Sequence, residues 1–178
     1  MDERYGQHSI SFRRICDHAG ALRQQDRVKL NAILERLEKK IPPVMLAVYF
    51  PNIREPFGLV QHNFWLMNHI QADEAGFPNR KDPVNPQWLL ILVIDVRTDN
   101  ACFMWGYQLD PYLQGDYLNS AIRKAKIPLR ESLLVQATAT IMKHATSLVA
   151  RAARLKIKSK HTQGLLPDLP AQTNKAEQ

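Results

Sequence analysis

A chain of 178 residues with 45% hydrophobic and 23% charged residues has the composition of a folded domain, long enough to bury a core without metals or disulfides. Its net charge is +7, but residues 151–178 hold six cations against two acids, so +4 of that excess belongs to the end of the chain; these numbers require no basic face on the body for nucleic acid. Two distant cysteines, Cys16 and Cys102, lack the CxxC spacing of a zinc site and read as reduced thiols.

Residues 1–12 are polar and read as a flexible N-terminus. They contain no apolar h-region, so the chain as it stands reads as cytoplasmic; loss of an upstream leader would make it an exported protein. Phe12 to Asp17 fits a short strand or a strand-like lead-in. Gln24 to Lys40 has the spacing of an amphipathic helix, with Val28, Leu30, Ile33, Leu34 and Leu37 on one side. Arg23 is a poor N-cap, Asp26 suits the first turn, and Pro42-Pro43 ends the helix. Val44 to Phe50 is a buried-strand pattern closed by Pro51. Glu55 to Ile70 returns to helical spacing, which places Phe57, Val60, Phe64, Met67 and Ile70 on the inner face.

Ala72 to Gln87 holds three prolines and a glycine and reads as a surface loop. Trp88 to Ile94 is a continuous apolar run, far short of the about 20 residues of a transmembrane helix, and fits a strand buried on both faces. Ala101 to Tyr107 alternates, and the polar RTDN link makes the two an antiparallel hairpin. Asp116 to Lys126 reads as a short helix. Pro128 opens a last helix to about Arg154, with Leu129, Leu133, Ala137, Ile141, Leu148 and Ala152 buried and Leu155 finishing the face. Residues 156–178 read as a basic, disordered tail after a domain at 13–155. Mixed strands and helices in this order predict a three-layer α/β/α sandwich on a mixed sheet.

Asp17-His18-Ala19-Gly20-Ala21-Leu22, the strand Val44–Phe50 ending at Pro51, and Gly106-Tyr107-Gln108-Leu109-Asp110 after the hairpin together resemble the TPM-domain family. Its signatures there are Asp-x-Ala-Gly-x-Leu, a first core strand ending at proline, and Gly-Tyr-Gly-Leu-Glu. The family includes a thylakoid-lumen acid phosphatase acting in photosystem II repair and many bacterial exported or membrane-anchored proteins. The resemblance implies an α/β/α sandwich with an acidic pocket near Asp17 and the hairpin, which in relatives can hold a divalent cation such as calcium. This chain departs from the pattern where charged residues precede Gly-Tyr: Cys102 and Met104 stand there, Gln108 replaces the second glycine, and Arg23 replaces a Ser or Thr cap.

The acids singled out as metal ligands are Asp17, Asp95, Asp99 and Asp110. Calcium or magnesium takes hard oxygen ligands, and carboxylates from separate loops can supply them; each also fits a solvated turn residue or a cap acceptor. Arg97 could clamp a phosphate, or stand as an ordinary turn cation. His62 and His69, seven apart on one helix, fit packing better than a metal face. Trp88, Trp105, Tyr107 and Tyr112 fit sheet and rim packing better than a stacking platform. No nucleophile motif, P-loop or HExxH is present. The expectation is a binding or interaction module for an unidentified protein partner, with a weak divalent-cation site. The alternative is a metal-assisted phosphatase acting on phosphate monoesters. Arg151, Arg154, Lys156, Lys158 and Lys160 offer a weak contact for anionic lipid or nucleic acid.

Overall fold

The computed structural model describes residues 10–53, 58–72, 76–77, 84–113 and 115–163. Four strands form the central sheet in the order β2 (Ile15–Asp17), β3 (Met45–Phe50), β5 (Leu89–Asp95), β6 (Asn100–Trp105). The first three are parallel and β6 is antiparallel to β5. A separate parallel pair joins β1 (Ile10–Phe12) to β4 (Ile70–Ala72). Helices α1 (Gln24–Glu38), α3 (Gly115–Arg123), α4 (Lys126–Arg130) and α5 (Leu134–Gln163) cover one face, and α2 (Leu59–His69) covers the other. This is the expected α/β/α sandwich with a mixed sheet and an antiparallel hairpin. Among the described residues no helix is long and apolar enough to cross a membrane.

Period-two alternation divides the core. Leu46, Val48, Phe50, Leu90, Leu92 and Ile94 face α1 and α5. Met45, Ala47, Tyr49, Leu89, Ile91 and Val93 face Trp65 and Leu66 of α2. Both central strands are buried at every position, which is why they read as unbroken apolar runs. Strands β2, β3 and β5 advance across the sheet in one direction, yet α1 and α2 lie on opposite faces. Two such crossovers must have opposite hands, so one departs from the usual right-handed rule.

Several local expectations are corrected. In α1, Leu30, Leu34 and Leu37 are buried but Val28 is 62% exposed, because it lies about 200° around the helix from Leu30. In α2 the inner face is inverted: Val60 and Phe64 are 77% and 75% exposed, while His62, Asn63, Trp65 and Leu66 are buried. The polar pair hid that face from an apolar-periodicity reading. Phe57 and the Met67 side chain lie outside the described residues.

The last helix is interrupted. Ser132 sits at φ 55°, its N–H donates to the Leu129 carbonyl and the Leu133 N–H donates to the Pro128 carbonyl. This is a Schellman closure with serine in the left-handed position, and it leaves Leu133 45% exposed. The restarted helix, α5, then runs to Gln163, past the expected end near Arg154, since no glycine or proline intervenes before Gly164. Leu155 is exposed at the rim of a cavity of about 280 Å³ that also takes in Tyr112, Tyr117 and Leu148. Within the expected loop, Phe77 is buried and the Gly76 carbonyl accepts from the Arg14 N–H.

Arg14 is 2% exposed and donates to Asn31 Oδ1 (3.1 Å), Glu35 Oε1 (2.8 Å) and Glu38 Oε2 (2.9 Å) on α1. Replacing it by leucine leaves the Glu38 carboxylate buried without its cation. Arg14→Leu should therefore lose about 3–5 kcal/mol of stability in urea unfolding; a loss below about 1 kcal/mol would show the cluster to be dispensable.

Candidate functional site

The carboxyl ends of the parallel strands are the natural place for a site in an open α/β sheet. Three of the four singled-out acids lie at that edge, each in a different setting. Asp17 ends β2, in register with Phe50 and so on the α1 face. Its Oδ1 accepts the Ala21 N–H (2.9 Å), and its Oδ2 accepts the Leu22 N–H (3.0 Å) and Arg27 Nη2 (2.6 Å). The loop that permits this turns at Gly20, φ 66°, a left-handed position that suits glycine. Asp17 thus acts as the tether of the β2–α1 connection.

Asp95 ends β5 on the opposite, α2 face, following Leu89, Ile91 and Val93 in alternation. It is 4% exposed; Oδ1 accepts the Arg97 N–H (3.0 Å) and Oδ2 accepts Thr98 Oγ1 (2.7 Å). Asp99 is exposed in the hairpin turn at φ 54°, a conformation aspartate tolerates better than most residues. Asp110 lies at the other end of the hairpin. Its Oδ1 accepts Trp105 Nε1 (2.7 Å), and Trp105 pairs with Leu90 while Asp95 pairs with Asn100. That is about 17 Å along the strand. The structure therefore does not gather the four carboxylates: one lies on each face, one in the turn and one at the far end. Among the described residues, no group of three or more His, Cys, Asp or Glu side chains stands where it could hold a metal ion.

The structure does gather a different set of polar groups on the α2 face of the same edge. Tyr49 hydroxyl lies 3.2 Å from His18 Nδ1 and 3.3 Å from His62 Nε2. Its ring meets His18 edge-on at 5.3 Å and stacks with His62 at 5.7 Å. The ladder continues through His62–Trp65 at 5.8 Å to Trp65–His69, stacked at 4.8 Å, and His69 Nδ1 lies 2.8 Å from the Trp65 carbonyl oxygen, to which it donates. Next to it, Asn63 Nδ2 donates to Cys102 Sγ across to β6. Asn63 Oδ1 is buried without a hydrogen-bond partner among the described residues.

His18 is exposed and His62 is 2% exposed, so Tyr49 links a solvent-facing imidazole to a buried one. Burial, then the neighbouring His18 charge, push His62 down to about 4 from the ordinary 6.5, against an upward pull from Asp95. His62 is therefore neutral near pH 7. A hydroxyl between two imidazole nitrogens donates to one and accepts from the other, which makes His18–Tyr49–His62 a route along which a proton can move. Burial pushes the Cys102 thiol up to about 11, so it stays protonated and is not an activated nucleophile. Among the aromatic residues expected to pack, Trp88 meets Tyr112 at 6.3 Å, and Tyr107 is 81% exposed.

In the sequence Tyr49 and His18 stand out only as members of two short motif segments, Val44–Pro51 and Asp17–Leu22. Their meeting depends on β2–β3 register and on the face that α2 presents, neither of which leaves a spacing signal.

Two solved domains are similar in fold. One is the N-terminal domain of the cg2496 protein from Corynebacterium glutamicum, with TM-score 0.50 and 14% identity, covering 78% of this chain and 82% of that one. The other is the N-terminal domain of a protein from P. gingivalis, with TM-score 0.53 and 22% identity, covering 83% and 86%. No family model matches the chain, and no curated protein matches it. At these identities the likeness establishes the fold alone: an α/β/α domain of the type found at the N-terminus of those two proteins.

The depressed His62 value has a consequence for acid stability. Between about pH 6.5 and 4 the unfolded chain binds a proton at this histidine that the folded chain does not, so stability falls as pH falls through that window and is intact above it. The full effect is on the order of 3 kcal/mol. In NMR titration His62 should stay neutral to about pH 5, and His62→Phe should flatten the acid limb of the stability curve; a His62 midpoint near the ordinary value would contradict the burial argument.

Proposed function

We propose that this chain is a divergent TPM-like domain acting as a binding or interaction module, with the outer face of α2 as its contact surface. The observation that carries the reading is the inversion of that helix. Val60 and Phe64, one turn apart, are 77% and 75% exposed while polar His62 and Asn63 are buried beneath them. Single exposed apolar residues are ordinary, but adjacent large ones on a helix face favour an interaction surface. The engagement of Asp17 and Asp95 as acceptors within their own loops agrees with a scaffold role for acids that TPM relatives direct at a cation.

A photo-reactive residue placed at position 60 of the full chain tests the reading, with position 36, an exposed α1 site, as the control. The expected result is a discrete protein adduct at 60 and none at 36; the same diffuse labelling at both sites would overturn it. Hydrolysis of an aryl phosphate should stay at background with or without calcium or magnesium. Turnover abolished by Asp17→Asn or Asp99→Asn would instead establish the phosphatase.

A further inference from the structure

Strand β6 ends the sheet. Its register with β5 is unbroken from Leu90–Trp105 to Asp95–Asn100, and the Gly106 N–H donates to the Leu89 carbonyl. In an antiparallel ladder hydrogen-bonded pairs alternate, so Asn100, Cys102, Met104 and Gly106 turn their backbone groups to β5. Ala101, Phe103 and Trp105 turn theirs away, and among the described residues no further strand receives them. Natural edge strands of this kind are blunted by charge, proline or a bulge. The segment NACFMW has no charged residue and no proline, and its pairing has no bulge.

We propose that this edge is completed by a second copy of the chain, β6 against β6 in antiparallel register about a two-fold axis at Phe103, giving one continuous sheet across the dimer. The proposal rests on the interaction-module reading and names its partner. Three observations select self-pairing. First, the outward groups are self-complementary. With Phe103 opposite Phe103 of the second copy, Ala101 falls opposite Trp105 and Trp105 opposite Ala101, so every outward residue meets another outward residue. Isologous contacts require this symmetry. Second, small meets large at both flanks and aromatic meets aromatic at the axis, which are favourable cross-strand pairs, while the absence of charge in β6 means that the pairing brings no like charges face to face between the two strands. Third, the apolar stripe of α2 continues the edge. Asn63 points at Cys102 of β6, and Val60 lies about 60° further around the helix on that same side, so strand pairing brings the two α2 stripes toward the axis.

Sedimentation of the full chain tests this. The expected result is a concentration-dependent species of twice the 20.5 kDa chain mass. Ala101→Pro removes one outward N–H without touching the β5 ladder, a place where an edge strand tolerates proline; it should weaken the dimer by about tenfold or more with the circular dichroism spectrum unchanged. If that variant does not fold, Val60→Lys, at a solvent-facing position, gives the same reading through the helix stripe. Hydrogen exchange gives a second readout: the amides of Ala101, Phe103 and Trp105 should gain protection with concentration, while those of Cys102 and Met104 are protected throughout. A monomer at every concentration, a dimer indifferent to the substitutions, or a dimer whose three outward amides exchange freely overturns the proposal. A monomer that still forms an adduct at position 60 with a different protein overturns self-pairing and leaves the interaction module standing; a monomer without an adduct overturns both.

Discussion

The buried guanidinium of Arg14 ties together the elements from which the rest of the fold is hung. Its side chain holds Asn31, Glu35 and Glu38 along one side of α1, while its backbone accepts from the Val48 N–H and donates to the Gly76 carbonyl. Glu38 passes the connection on, accepting the Leu46 N–H at the start of β3. Phe77, of the opposite hydrophobic cluster, places its ring 5.6 Å from the guanidinium carbon. One cation therefore joins β2, α1, β3 and the segment after β4, across both faces of the sheet. Desolvating that charge is costly; acceptors on Asn31, Glu35 and Glu38 engage both terminal nitrogens, while Nε is buried without a hydrogen-bond partner among the described residues. Such a cluster acts more through the arrangement it specifies than through the net stability it adds, because the same groups left half-paired would be worse than an apolar core.

Alternation along the strands then decides what the carboxyl edge can be. Asp17 follows Cys16, whose side chain belongs to the α2 face, so Asp17 falls on the α1 face and finds Arg27 there. Asp95 follows Val93 in step and falls on the α2 face, near His62. Two acids at the same edge of the sheet, on strands separated by β3, are thereby kept in separate environments, one ion-paired and one closing a turn. The α2 face instead collects imidazole, phenol and carboxamide groups, which meet through hydrogen bonds and ring contacts.

The strands were legible because Met45–Phe50 and Leu89–Asp95 are buried at every position; burial on two faces leaves a continuous apolar run that no surface element shares. The hairpin was legible from a short polar link between such a run and an alternating one. The inner face of α2 was not, since His62 and Asn63 are buried by contacts to Tyr49 and Cys102 that are 13 and 39 residues away. Periodicity counts apolar residues, and here it counted the ones left outside. The break before α5 was hidden for a related reason: Ser132 adopts a positive φ that serine disfavours, and its closure depends on two carbonyls of the preceding turn rather than on a glycine. The hairpin itself separates Asp99 in the link from Asp110 beyond the second strand, but the opposite faces of Asp17 and Asp95 could not be read, because alternation orders side chains within one strand and leaves open which helix layer each set meets.

The topology itself explains why, among the described residues, the sheet ends on an open strand. After β5 the chain reverses through a tight turn instead of crossing over, and after β6 it leaves for α3, α4 and α5 on one face. Those helices cover Ala101, Phe103 and Trp105 from that side, and α2 covers Met104 from the other, but neither layer supplies strand-type hydrogen bonds at the rim. A helix can bury the side chains of an edge strand and still leave its backbone groups to find their partner in water or in another strand. Of those two, water is the default, and a sequence selected to keep it so carries a charge at the rim. The run from Asn100 to Trp105 carries none. The same hairpin that closes the domain's core therefore leaves a row of outward strand groups at its rim, beside α2 with its exposed Val60 and Phe64.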